Sequence, residues 1–210
     1  MKIDWQIDEN EIDYKKAVQF MEKRNREIID GTNSNLIWLT SHPSLYTAGI
    51  SSKDSDLLNP TIPVFQTNRG GKYTYHGPGM RIIYVMLDLK EFFSPNRPDI
   101  SKFVNFLENW IINSLDRINI KGEIRKDRVG IWVKTDNTEK KIGAIGIKLK
   151  KWVTYHGIAV NINPDLKFFN DIIPCGIKEF GVTSMEKLGN KTKQCEFDQI
   201  LQEEFKKLLR

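Results

Sequence analysis

The spacing of apolar and polar positions changes several times along the chain, and each change predicts an element. Over residues 11–30, Ile12, Val18, Met21 and Ile28 or Ile29 recur at helical spacing, and Gly31 supplies a stop. Residues 36–40 form a short apolar strand closed by SHPS, and residues 62–67 predict another. Residues 81–89 are almost continuously apolar, as in a strand covered on both faces. After Pro95 and Pro98, Asp99 is placed to cap an amphipathic helix carrying Phe103, Leu107, Trp110, Ile111, Leu115 and Ile118. Residues 129–134, 142–149 and 153–161 have strand character and are joined by polar or basic turns, which predicts an antiparallel meander. Residues 164–171 read as a short helix. Phe197, Ile200, Leu201, Phe205 and Leu208 mark a C-terminal helix. This order predicts one α+β domain over residues 1–210, with a single mixed, largely antiparallel sheet and helices packed on it.

Composition narrows the function. The chain has 210 residues, of which 40% are hydrophobic, with five Trp and eleven Phe, so it can bury a core and is not expected to be disordered. Two cysteines without CxxC spacing exclude a disulfide framework, and three histidines without HExxH leave little for zinc. No apolar run approaches the roughly 20 residues of a membrane span. The acidic start MKIDWQIDENEID has no apolar signal region. A soluble cytoplasmic protein in a reducing compartment is expected.

The net charge of +5 is unevenly placed. Residues 121–152 hold ten basic and four acidic side chains, so this segment alone carries +6. Such a region fits an anionic partner, or simply a solvated lysine-rich surface.

Candidate chemistry lies in the glycine-rich stretches and one cysteine. RGGKYTYHGPG at 69–79 cannot be a regular strand or helix interior: it is either a sharp hairpin or a loop whose backbone N–H groups approach a ligand. It is neither a phosphate loop nor a dinucleotide fingerprint. Gly143–Gly146 and His156–Ala159 bring small residues into adjacent strands, leaving either a slot for a slender ligand or barrel-like bends. Cys175 is flanked by Pro174 and Gly176. It is either a small buried hydrophobe or a placed thiol, whose thiolate a nearby ammonium such as that of Lys141 would favour. Cys195 is taken as structural, and His42, before Pro43, as shaping a turn. His76 and His156 offer either an orienting or proton-accepting group, or a histidine bonded to a loop carbonyl.

Taken in order, HPSLYTAG, RGGKYTYHGPG, GIWV, KIGAIGIK, WVTYHGIAVNINPDL and IPCGIKEFGVTS resemble the lipoyl(octanoyl) transferase family over about residues 36–188. The resemblance implies the fold of the biotin/lipoate ligase catalytic domain. It implies transfer of an octanoyl group from acyl carrier protein to a lysine of a lipoyl domain, through a thioester on Cys175 with Lys141 activating the thiol. It places substrate contacts at Arg69, Gly70, Gly71, Lys72, Tyr73, Thr74, Tyr75 and His76, at Ala144, Ile145 and Gly146, and at Gly157, Ile158 and Ala159. It implies no cofactor, no metal and no ATP. No nucleic-acid or membrane partner is expected, and the chain is expected to be a monomer. Gly146 and Gly157 are expected to make room for the acyl chain. Met80 stands where the family commonly has Gln, and Lys148 where Arg is common. The competing readings are an ATP-dependent lipoate or biotin protein ligase, a cysteine hydrolase and a basic RNA-binding module.

Overall fold

The structure, a computed structural model, describes residues 1–126, 128–135, 138–172 and 180–209. The chain opens with strand β1 (Ile3–Glu11), an element the sequence pattern did not predict. Ile3 and Trp5 pack against the core, while half-buried Asp4 and Asp8 accept from the Ser34 hydroxyl and the Trp38 indole N–H of the adjoining chain. Helix α1 (Tyr14–Ile29) follows, capped by the Asp13 carboxylate, which accepts from the Lys16 N–H at 3.0 Å. It therefore starts three residues later than the periodicity predicted, because Glu11 still belongs to β1. Its buried side chains Tyr14, Ala17, Met21, Asn25 and Ile28 recur every three or four residues.

Strand β2 (Asn35–Ser41) pairs with β1 in parallel, so α1 is the crossover that such a pair requires. Two short strands, β3 (Leu45–Ala48) and β4 (Val64–Gln66), pair in parallel, and β5 (Thr74–His76) joins β3 antiparallel. This three-stranded sheet corrects the expectation of a single sheet. Strands of three and four residues in turn-rich sequence carry too few alternations to show a period.

Strand β6 (Met80–Met86) is buried throughout and ends where Asp88 caps the one-turn helix α2 (Leu89–Phe92). Helix α3 (Ile100–Asp116) begins at the predicted cap: the Asp99 carboxylate accepts from the Lys102 N–H at 3.0 Å. Then come β7 (Gly122–Glu123), β8 (Ile131–Thr135), β9 (Thr138–Lys150), β10 (Val153–Asn161), a 3-10 turn (Leu166–Asp171), β11 (Gly181–Val182) and helix α4 (Gln194–Leu208). The main sheet runs β1-β2-β6-β10-β9-β8-β7, with β11 beside β9. The β1–β2 and β11–β9 pairs are parallel and the others antiparallel, which is the mixed sheet the sequence predicted. The β9–β10 turn is Lys151-Trp152, both with positive φ (49° and 70°), the conformation a two-residue hairpin needs.

Helices α3 and α4 cover one face of this sheet. Phe103, Leu107, Trp110 and Ile111 of α3 and Phe197, Leu201 and Phe205 of α4 pack on Ile37, Leu39, Ile83, Val85, Ile158 and Val160. Helix α1 and the small sheet cover the other face, over Leu36, Trp38, Ile82, Tyr84 and Ala159. No helix among the described residues is long and apolar enough to cross a membrane.

Candidate active site

The second face is not filled. Between β6, β9 and β10 below and the 69–76 loop and small sheet above lies a cavity of about 280 Å³. The loop is seated directly on β9: the Gly70 N–H donates to the Ile147 carbonyl at 3.0 Å. A side chain at Gly146 would place its Cβ 2.8 Å from the Gly70 carbonyl oxygen, and one at Gly157 would meet the Ile83 carbonyl oxygen at 2.0 Å. Both glycines border the cavity, but the space their missing side chains leave is occupied by neighbouring backbone. The sequence-based expectation that they leave a slot is corrected accordingly: they permit close approach of chain segments, and the cavity opens between them.

Arg69 holds the loop in shape. It is buried, with Nη2 donating to the Thr47 and Lys72 carbonyls at 2.7 and 2.8 Å, and Nη1 donating to the Gly70 carbonyl at 2.9 Å. Gly71, Lys72, Tyr73, Thr74 and His76 line the cavity from above together with Arg69, and Ala144, Ile145, Ile158 and Ala159 line it from the sheet. Gly70 and Tyr75 do not. Strand alternation turns Tyr75 away to stack on Phe168, with ring centroids 4.9 Å apart and its hydroxyl 2.9 Å from Ser44 Oγ. Lys72 pairs with Asp56 at 3.4 Å.

Lys141 lies at the cavity wall, only 6% exposed. It is opposite Trp132 on β8 and beside Val182 on β11, and its Nζ is 5.1 Å from the Trp132 ring centroid. The β8–β9 register shifts between Ile131 and Trp132, so a bulge falls next to this lysine and aims it out of the regular pleat. Beyond Trp132 the aromatic face continues into Phe180, 5.6 Å away, with the Arg128 guanidinium 4.0 Å from the Phe180 ring. Cys175 lies outside the described residues.

The histidines form a buried group at the far end. His42 Nδ1 is 2.6 Å from the Ile12 carbonyl and must donate to it, so Nε2 accepts from the Tyr84 hydroxyl at 2.6 Å. His42 is thus a buried bridge between chain segments, where the sequence suggested only a turn residue. Burial holds all three histidines below the usual imidazole range. His76 is held well below that range by burial first, with the neighbouring His42, Arg69 and His156 adding to the effect. His156 falls to about 4, with Arg69 and Lys148 adding to burial. All three are neutral at pH 7, so they can accept or relay a hydrogen bond but supply no positive charge. His76 Nδ1 has no partner among the described residues. His156 holds φ +62° inside β10, a strained backbone for a non-glycine residue facing a cavity.

Tyr14, Ile82, Tyr84 and Phe169 also line the cavity and were not identified from sequence. Each sits within an ordinary apolar pattern, so nothing local marked it. Cys195, taken as structural, is an exposed free cysteine in the first turn of α4. The basic segment is partly neutralised from within: Glu139 bonds Arg125 and Arg128, and Glu123 bonds Arg125 and Lys134.

A largely apolar cleft on a mixed sheet, with a lysine at its wall and neutral histidines among its lining, is suited to holding an acyl chain. The lipoyl protein ligase A/B catalytic domain model matches residues 13–206, and the chain belongs to that family. Within it, the chain is 52% identical over 205 residues to an octanoyltransferase of Wolbachia pipientis subsp. Culex pipiens (strain wPip), covering 98% of both chains. Its enzymatic class is octanoyltransferase. Among solved structures, a bipartite lipoate protein ligase from Thermoplasma acidophilum superposes with a TM-score of 0.72 at 14% identity, over 99% of this chain and 84% of that one. Lipoate-protein ligase A bound with ATP gives 0.70 at 16% identity, over 98% and 85%. At these identities the likeness concerns the fold alone.

Proposed function

We propose that this octanoyltransferase works through a cysteine thioester. The Cys175 thiolate attacks the thioester carbonyl of octanoyl-acyl carrier protein. The carbon–sulfur bond to the carrier breaks, and the carrier thiol leaves with a proton. The ε-amine of a lipoyl-domain lysine then attacks the Cys175 thioester. An amide forms, the Cys175 carbon–sulfur bond breaks, and the amine's proton is released. Lys141 stabilises the thiolate and exchanges the proton. The first step trades one thioester for another and the second converts a thioester to an amide, so neither calls for ATP or a metal.

The observation that carries this reading is the placement of Lys141. The buried Lys141 side chain, beside a bulge, lies at the wall of the cavity where Val182 of β11 pairs with it, seven residues after Cys175 in the chain. Phe169 and Val182, described residues on either side of the cysteine in sequence, both line the cavity. The substrate-contacting segments are those around Arg69–His76, Ala144–Gly146 and Gly157–Ala159, with Gly70 and Tyr75 acting through loop shape. The full 210-residue chain serves as one cytoplasmic, monomeric acyltransferase domain.

A ligase that activates a free acid with ATP is the competing reading, on the likeness of fold. Transfer assays on Cys175→Ser separate the two. Loss of octanoyl transfer by the variant, with no stimulation of either protein by ATP, is expected. Undiminished transfer by the serine variant would contradict the thioester route.

A further inference from the structure

We propose that Tyr84 is a specificity-determining residue: its ring ends the acyl channel and sets the accepted chain at the octanoyl length. The inference rests on the reading above, in which the acyl carbonyl is held at the Lys141 end of the cavity.

The cavity floor is built of cross-strand rows. Asn161 of β10 pairs with Met80 of β6, the next row is Ala144, Ala159 and Ile82, and the one after it is Gly146, Gly157 and Tyr84. All of these residues line the cavity. Lys141 lies past Gly143 on β9, and Gly143 pairs with Val160, so the lysine stands at the Asn161 end. The following positions on the same face, Lys148, Tyr155 and Met86, are not among the described lining residues, which stop at the Tyr84 row. At about 3.3 Å per residue, the Met80 and Tyr84 rows are about 13 Å apart. An octanoyl chain, with seven carbon–carbon bonds of about 1.5 Å in staggered conformation, spans about 9 Å. It crosses the Ile82 row and brings its methyl group up to the Tyr84 ring. A dodecanoyl chain, at about 14 Å, needs the space that the ring occupies. The ring is fixed in place. It is 3% exposed, its hydroxyl donates to His42 Nε2 at 2.6 Å, and its centroid lies 5.4 Å from that of Trp38. His42 is itself held by the Ile12 carbonyl and flanked by the rings of Tyr14 at 5.3 Å and His76 at 5.9 Å. Over the same row the 69–71 loop comes down on β9, with the Gly70 carbonyl oxygen against Gly146, so loop and ring close the channel together.

The test is a competition. Hexanoyl-, octanoyl- and dodecanoyl-acyl carrier protein are offered in one mixture, and the acyl masses on the lipoyl domain are read. Product ratios report relative kcat/KM, so they do not depend on how much of a variant is folded. A single methylene in an apolar pocket is worth about 10- to 200-fold, so the unmodified protein should take octanoyl over dodecanoyl by at least about tenfold. Tyr84→Ala should abolish that preference and bring dodecanoyl up to octanoyl or above it. An unchanged order of preference in Tyr84→Ala overturns the proposal. Ala144→Leu acts in the opposite direction, because it fills the row between Lys141 and Tyr84. Octanoyl should then fall against hexanoyl by about tenfold. A variant that slows both chains alike overturns the proposal too, since the chain would not run along these rows. If the unmodified protein transfers the acyl group without an adduct on Cys175, the thioester route fails, while the product ratios still report where the chain ends.

Discussion

The two faces of the main sheet are built from the same strands and reach opposite ends. From β6, Ile83 and Val85 enter a closed layer of Trp110, Phe205 and Leu107, with the Trp110 indole N–H donating to the Leu201 carbonyl at 2.8 Å. From the same strand, Ile82 and Tyr84 face a layer that contains a cavity, three neutral buried histidines, a buried arginine and a strained residue. The first face is filled by large aliphatic and aromatic side chains at close packing, with the Arg81–Asp198 ion pair buried and fully bonded at its edge. The second keeps small residues and carries polar groups whose burial costs stability. The comparison teaches that the closed face supplies the stability that lets the other hold a preformed hollow.

Three substitutions or conditions probe that division. Trp110→Ala on the closed face should cost about 3–5 kcal/mol, the usual range for a fully buried tryptophan. Denaturant melts read this loss, and transfer per folded molecule should be retained. A comparable loss of activity at full folding would contradict the division. Gly146→Val on the open face should cost less stability, roughly 1–3 kcal/mol. Because the new Cβ meets the Gly70 carbonyl, the 69–76 loop must lift, and transfer should fall by roughly 100-fold, as for a displacement near 1 Å.

The third probe is pH. The folded protein holds its histidines below their unfolded value, so between the two values the unfolded chain binds more protons. Stability is fully present above about pH 6.5 and falls as the pH drops, by up to about 1.4 kcal/mol per pH unit for each histidine. For His156 the loss continues down to about pH 4. His156→Asn, which tolerates the left-handed backbone, should flatten this slope in melts at pH 5 and 7.5. An unchanged slope would show that His156 does not titrate as described.

The closed face was the more legible in sequence. The α3 positions Phe103, Leu107, Trp110, Ile111 and Leu115 and the Asp99 cap are local features, and β10 runs over the predicted residues 153–161. Strand β1 was missed although Ile3, Trp5 and Ile7 alternate, because Asp4, Gln6 and the acidic run from Asp8 to Glu11 resemble a solvated tail. The open face was legible only as loops and candidate residues. Its motifs marked Arg69, His76, Ala144 and Lys141, all of which line the cavity. Alternation alone could not reveal that Tyr75 points away, since no strand was expected there. Glu108 looked like an ordinary polar position on a helix. Its carboxylate accepts from the N–H of Gly130, 22 residues further along the chain, a contact that exists only in three dimensions.

The central claim, a thioester relay on the open face, is tested most directly by intact-mass analysis of the folded protein after incubation with octanoyl-acyl carrier protein. The account predicts a single octanoyl adduct that maps to Cys175, is slow to form in Lys141→Met, and disappears when apo lipoyl domain is added, with the acyl mass appearing on that domain. A folded protein that modifies the lipoyl domain without ever carrying an adduct at Cys175 would contradict it.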